Sequence, residues 1–282
     1  MGIGASAEAI IDLVHRLHVA TAEQVCRRLY SPGSLTYVRD RLARLTRDEY
    51  LHRSHMGKAS RSGSSPFVYT LDRHGRDYLL HLGHRVDRLR KSEIDRASRG
   101  HLAHSLLVGD FLIAAELLCQ RQPDFRLRRV FTRELAEEPA RVRLGTGTTG
   151  VVIPDAWLEL RRPRGDGTAA QYCLALEADR GQEHANVWQA KVEKLAAWAY
   201  GPYEEQFGTR ALTVLVVTTS AARRDDLRAW TAVALQRAQA GSLFNHFLFT
   251  AASAAGTDPA GFFLSPLWST IGADVAVPVI QV

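Results

Sequence analysis

At 282 residues, 46% of them hydrophobic and 23% charged, the chain has the balance of a globular protein that buries a sizeable core as one large domain or two ordinary ones. The net charge of +6 is unevenly placed: residues 1–100 carry 18 Lys/Arg against 11 Asp/Glu, and residues 101–282 carry 18 against 19. That asymmetry excludes a uniformly charged chain and points to a basic N-terminal module facing a polyanion, the competing reading being a merely solvated basic face.

No uninterrupted run of about 18 apolar residues occurs, which argues against a membrane-spanning helix. The start, MGIGASAEAIIDLVHRLH, has no basic lead and carries acids within its apolar part, unlike a signal peptide. Cys26, Cys119 and Cys173 are scattered over apolar patterns and read as buried thiols, so a soluble cytoplasmic protein is expected.

In chain order, Ile10, Ile11, Val14 and Leu17 fall at helical spacing within residues 6–18. TAEQVCRRLY opens with a capping box, Thr21 at the N-cap and Gln24 three residues on, and Val25 and Leu29 supply its buried stripe. After the break SPGS, Ser34 is a natural cap for SLTYVRDRLARL, whose Leu35, Val38, Leu42 and Leu45 share one face. Leu51 to His55 reads as a strand, GKASRSGSSP as a polar loop, FVYTL as an alternating strand and DRHGRDYLLHLG as a helix. Three helices, strand, loop, strand, helix is the order of a winged helix-turn-helix, here residues 1–83. In such modules the third helix enters the major groove and the wing follows the backbone. The candidate DNA-binding residues are therefore Thr36, Tyr37, Arg41 and Arg44 on the third helix and Lys58 and Arg61 in the wing. Arginines can fork onto guanine edges or phosphates; the alternative is a protein-docking module with solvated arginines.

Residues 84–100, HRVDRLRKSEIDRASRG, are densely charged and read as a linker or a solvated helix. A second domain, residues 101–282, opens with the apolar helix HLAHSLLVGDFLIAAELLCQ. FRLRRVFTREL then alternates as a strand, RVRLGTGTTG is a Gly/Thr turn cluster, VVIPDAWLEL a strand, RRPRGDGTAA a hairpin-like turn and QYCLALEAD a strand. HANVWQAKVEKLAAWAY is a helix, ALTVLVVTTS a buried strand and RRDDLRAWTAVALQRAQ a helix. This αβββαβα order implies a mixed sheet flanked by helices, and an α+β fold class for the whole chain. Trp188 and Trp198 read as core. The tail after about residue 250 reads as a short edge strand and a strap.

Acidic residues converge in this domain. Asp155 follows Pro154 just inside VVIPDAWLEL. In QYCLALEAD the period of two turns Leu174 and Leu176 toward the core and sets Glu177 and Asp179 together on the opposite face. A hairpin around RRPRGDGTAA would bring Asp155 beside Glu177. Asp155, Glu177 and Asp179 are thus the candidate ligands of a hard cation such as Mg²⁺, which takes oxygen donors and can activate water on a phosphodiester. Glu116 and His104 read as paired or structural groups. LGTGTTG lacks the Lys-Ser/Thr ending of a phosphate loop, and no nucleophile elbow, HExxH or paired CxxC occurs.

The αβββαβ order, with PD on one strand and ExD on the next, resembles the PD-(D/E)XK nuclease fold, a restriction-endonuclease-like domain. More closely, VRDRLARL, YTLDRHGRDYL, HLAHSLLVGDF, IPDAWLEL, LEADRG and KVEKLAAWAY, in that order over roughly residues 8–220, resemble the replication-relaxation family of bacterial plasmids and mobile elements. The resemblance implies a protein acting on double-stranded DNA in replication or relaxation. The nuclease pattern expects Lys two residues after the Glu, to position water and stabilise charge; here Asp179 stands there. A carboxylate cannot do that work, so the cation would come from Arg180, or from Lys191 or Lys194 on the following helix, whose bland reading is a solvated flank. Two functions are therefore expected. One is a Mg²⁺-dependent endonuclease or nickase using Asp155, Glu177, Asp179 and Lys191 or Lys194. The other is a non-catalytic replication or transcription regulator whose nuclease-like domain serves homodimerisation or partner docking.

Overall fold

The computed structural model describes residues 3–56, 66–86, 91–145, 147–273 and 275–281. The chain is α+β, and its contacts divide it into two units, Met1–Ile113 and Ala114–Val282.

In the first unit, α1 (Ala5–Leu17), α2 (Ala22–Leu29) and α3 (Leu35–Arg47) bury most of the residues that their spacing selects, while Leu29 and Leu35 stay half-buried. Ile10, Ile11, Val14 and Leu17 come from α1, Val25 from α2, and Val38, Leu42 and Leu45 from α3. The turn between α2 and α3 passes through Gly33 at φ +92°, a left-handed conformation that a Cβ would strain. Ser34 makes no side-chain cap bond; its ψ of 9° is not the extended geometry of a capping residue, and only its carbonyl accepts, from the Val38 N–H at 3.0 Å. The strands β1 (Ala20–Thr21), β2 (Leu51–His55) and β3 (Phe67–Leu71) form an antiparallel sheet in the order β1-β3-β2. Lys58 and Arg61, between β2 and β3, lie outside the described residues. The helix α4 (Arg73–His81) follows, capped by Asp72.

Part of the charged segment 84–100 is folded. Its helix α5 (Lys91–Arg96) buries Ile94 with Val19, Val68 and Leu102, and Asp95 accepts from the Ser54 hydroxyl at 2.7 Å. The long helix α6 (Arg99–Arg121) then supplies partners for the capping box. Thr21 and Gln24 exchange both capping bonds, at 3.1 and 3.2 Å. The Gln24 amide also donates to the Leu106 carbonyl and to Asp110, each at 2.9 Å. By length and composition α6 is apolar enough to cross a membrane, with half of that stretch buried inside the protein. A buried core helix meets the same length and composition, and Asp110 and Glu116 interrupt its apolar run.

In the second unit, β4 (Arg126–Phe131) is followed by the short helix α7 (Glu134–Glu137) and a hairpin of β5 (Ala140–Arg143) and β6 (Thr149–Val152). Then come β7 (Ala156–Pro163), β8 (Ala169–Ala178), α8 (Ala185–Tyr200), α9 (Tyr203–Phe207), β9 (Thr213–Val217), α10 (Ala221–Arg237), β10 (Phe247–Thr250) and α11 (Pro259–Leu264). The sheet order is β10-β9-β8-β7-β4, antiparallel from β4 to β8 and parallel from β8 to β10. One sheet face, through Trp157, Cys173, Ala175, Val214 and Val216, shares a core with Trp188, Val192 and Leu195 of α8 and Leu227 of α10. The alternate residues Leu158, Leu174, Leu176 and Leu215 are buried too, so the central strands are apolar on both faces.

Two local readings of the sequence are corrected. RVRLGTGTTG is a hairpin with its own two-stranded sheet rather than a bare turn cluster, its Gly/Thr content hiding the alternation of Arg and Val. VVIPDAWLEL is two strands, because Pro154 has no N–H for the ladder; Asp155 stands just before β7. Trp188 and Trp198 are both fully buried in the core, donating to Thr231 at 2.8 Å and to Gln206 at 3.0 Å. All three cysteines are free.

A tight approach in the first unit gives a stability test. A Cβ on Gly75 of α4 would meet the Tyr50 carbonyl oxygen at 2.3 Å. An ordinary Gly→Ala change within a helix stabilises by about 1 kcal/mol, whereas Gly75→Ala should destabilise by about 1–3 kcal/mol through the clash. Chemical denaturation measures the difference, and a stabilised variant would contradict the packing.

Candidate functional site

The pairing of β7 with β8 builds the site. Ala156 lies opposite Leu176, and the Asp155 N–H donates to the Leu176 carbonyl at 3.0 Å, so the hairpin carries Asp155 to the level of Glu177. The Asp155 carboxylate accepts from the Ala178 N–H at 2.7 Å. Glu177 is only 2% exposed, on the sheet face that α8 covers. From α8, Lys191 reaches back to it: Nζ stands 3.1 Å from Glu177 Oε2 and 2.9 Å from Glu183 Oε1. Lys194 goes elsewhere, its stem lying over Gly150 of β6, where a Cβ would stand 3.2 Å from Lys194 Cγ. Asp155, Glu177 and Lys191 are brought together; Lys194 is turned toward the hairpin.

Asp179 has a different set of partners. Arg223, in the first turn of α10, forks onto both its oxygens, Nε to Oδ2 and Nη2 to Oδ1 at 2.8 Å each. The Thr218 hydroxyl and the Gly181 N–H also donate to it, at 3.0 and 2.8 Å. Four donors thus occupy a carboxylate that is 4% exposed. Arg180 is half-buried.

The charges follow from these contacts. Burial pushes the Glu177 carboxyl up to about 8; Lys191 opposes the push and Asp155 adds to it. Burial pulls the Lys191 ammonium down, but Glu177 and Glu183 more than restore it, and it titrates above its ordinary value. At Asp179 burial is overcome by Arg223, Gly181 and Thr218, so its carboxyl stays below the usual carboxylate range. One ammonium therefore serves two carboxylates, those of Glu177 and Glu183. Among the described residues, no group of three or more His, Cys, Asp or Glu is placed to hold a metal ion.

On the first unit, Thr36, Tyr37 and Arg44 of α3 are exposed and Arg41 is half-buried. The Arg41 guanidinium lies 6.0 Å from the Tyr37 ring, which in turn meets Tyr30 edge-on at 5.7 Å. Arg39 and Asp40 of α3, with Glu23, Arg53 and Phe67, line a groove of about 620 Å³. Arg39 pairs with Glu23 at 3.0 Å, and the Arg53 guanidinium stacks over Phe67 at 4.4 Å.

The family model described as Replication-relaxation matches residues 11–213, from within α1 to the start of β9, and includes every residue of the Asp155, Glu177 and Lys191 constellation. The chain belongs to the replication-relaxation family. No curated protein and no solved structure matches it. In this replication-relaxation protein two residues of the site escaped the sequence reading. Glu183 sits in the β8–α8 loop, where nothing in its spacing marks it. Arg223 lies 44 residues after Asp179 and beyond the matched span; its only signal is a basic pair opening α10.

The Glu177 carboxyl titrates at about 8 when folded against an ordinary value of 4.5. Its contribution to stability is fully present below that ordinary value and is lost as pH rises through the folded one. Glu177→Gln should therefore lose less stability than the parent between about pH 5 and about pH 8.5. Thermal melts across that range check this, and parallel curves would refute it.

Proposed function

We propose that this protein acts in replication or relaxation of plasmid or mobile-element DNA, binding the duplex through a winged helix-turn-helix in its first unit. The second unit, read as PD-(D/E)XK-like, nicks or cleaves that DNA with Mg²⁺. The observation that supports the reading best is Lys191. Its Nζ stands 3.1 Å from Glu177, supplying from a helix the cation that the strand lacks at Asp179.

Asp155 and Glu177 offer the hard oxygen donors that Mg²⁺ takes, one or two carboxylates with waters and a phosphate completing the shell. Asp179, held by Arg223, is not among them. When bound, the ion would lower the pKa of a water and offset charge on the phosphodiester. The chain's own part is to hold that ion through Asp155 and Glu177, with Glu177 releasing its proton as ligands must. Lys191, kept charged and anchored by Glu183, would orient the attacking water or meet charge developing on the phosphate. In the first unit, exposed Thr36, Tyr37 and Arg44 support a groove-facing α3. Arg41 would support it from the flank, and Lys58 and Arg61 would lie along the phosphates.

One observation favours the second reading, a non-catalytic regulator: Lys191 is itself a partner for Glu177, at 3.1 Å.

Supercoiled plasmid incubated with the protein and Mg²⁺ or Mn²⁺ separates the two. Asp155→Ala, Glu177→Ala and Lys191→Ala should each slow nicking by about 100-fold or more, while Lys194→Ala stays near the parent rate. A parent protein that binds DNA and leaves it supercoiled would establish the regulator. For the first unit, Arg44→Ala should weaken DNA binding and reduce the slope of log affinity against log salt by about one. Unchanged binding would sink the groove assignment.

A further inference from the structure

We infer that Asp179, standing where the nuclease pattern places its lysine, is a positioning residue: with Arg223 it clasps loop 179–184 and so holds Lys191 at Glu177. What Lys191 does there rests on the reading above; the clasp does not.

The strand β8 ends at Ala178, and the Asp179 N–H prolongs its parallel ladder by donating to the Val217 carbonyl at 2.8 Å. The Asp179 side chain then meets Arg223, whose fork takes both carboxylate oxygens. The same guanidinium makes a third bond, Nη2 donating to the Glu183 carbonyl at 2.7 Å. One planar group thus ties the first residue of the loop to the fifth. The loop reverses through Gly181 at φ +79°, and the Gly181 N–H folds back onto Asp179 at 2.8 Å. With its backbone held, Glu183 presents its carboxylate to Lys191 at 2.9 Å, and Lys191 spans the remaining 3.1 Å to Glu177.

The series Arg223, Asp179 with Glu183, Lys191, Glu177 is continuous. It explains the departure from the nuclease pattern as a linked exchange of charges. A lysine at position 179 would face the Arg223 guanidinium, a like charge in a site where the Arg223 side chain is 12% exposed and that of Asp179 1%. With Asp in that place, Arg223 has a partner, the loop is fastened and the cation arrives from α8 instead. A lysine side chain is long and flexible, so its delivery to one carboxylate needs a second anchor, which Glu183 provides. The clasp needs Arg in particular, because three directed bonds from one flat group are beyond an ammonium on a flexible stem. The Trp230 ring, 4.9 Å from the guanidinium, steadies it further.

The test reads Lys191 directly, without DNA or metal. The full chain is treated with limiting acetic anhydride, and acetylation of Lys191 is measured by peptide mass spectrometry against Lys194 in the same molecule. In the parent, Lys191 should label more slowly than Lys194. Arg223→Gln and Asp179→Asn should raise the Lys191/Lys194 ratio several-fold with melting still cooperative, and Arg223→Lys, which keeps the charge and loses the fork, should fall between. Glu183→Gln cuts only the last link and should raise the ratio as well. An unchanged ratio in folded Arg223→Gln, or in Glu183→Gln, overturns the inference. A chain that shows the expected ratios and fails to nick DNA refutes the nuclease reading and leaves the clasp standing.

Discussion

A carboxylate buried among apolar side chains is tolerable only with a proton or a partner cation, and Glu177 is such a carboxylate. Much of the second unit's local architecture follows from that constraint. The strand that carries it is apolar on both faces, so most of its neighbours are core residues and its cation comes from the covering helix. Lys191 can do so because it flanks the stripe of Trp188, Val192 and Leu195 that α8 lays on the sheet. Glu183, half-buried like Lys191 itself, gives the ammonium a second anion from the loop.

The first unit shows the same economy with a neutral group. Gln24 closes the capping box of α2 with its oxygen and, with its nitrogen, joins α6. Asp110 receives both Gln24 and Arg27, so α2 is tied to α6 from its first turn and from its last. Gly109 keeps the approach open, since a Cβ there would stand 3.2 Å from the Gln24 amide nitrogen. A cap that usually ends with its own helix here also fixes how the neighbouring helix lies against it.

What the sequence makes legible is whatever depends on residues near one another in the chain. The stripes of α1 and α3, the capping box and the hairpin that brings Asp155 to Glu177 all follow from periods and short spacings. Asp155 and Glu177 are 22 residues apart, and one tight turn sets their register. The Asp179–Arg223 pair was hidden because it needs the parallel neighbour of β8 to be known first; only then does the start of α10 fall beside the end of β8. The choice between Lys191 and Lys194 is a matter of helix rotation. Three residues apart, they point about 60° from each other, and the buried stripe, once recognised, favours the nearer one. The β5–β6 hairpin was obscured by glycines and threonines that read as turn. The groove beside α3 is lined from four separate stretches of chain, and no single one of them marks it.

The switch from antiparallel to parallel pairing at β8 has a consequence for charge that no single side chain carries. Since β8 and β9 run the same way, both leave the sheet at one edge, and each feeds a helix within a few residues, α8 and α10. The beginnings of both helices therefore gather where Asp155, Glu177 and Asp179 already stand. Each such beginning carries roughly half a positive charge from its aligned peptide dipoles. The strand order thus adds a favourable partial charge beside those carboxylates, a contribution that does not depend on the lysine or the arginine.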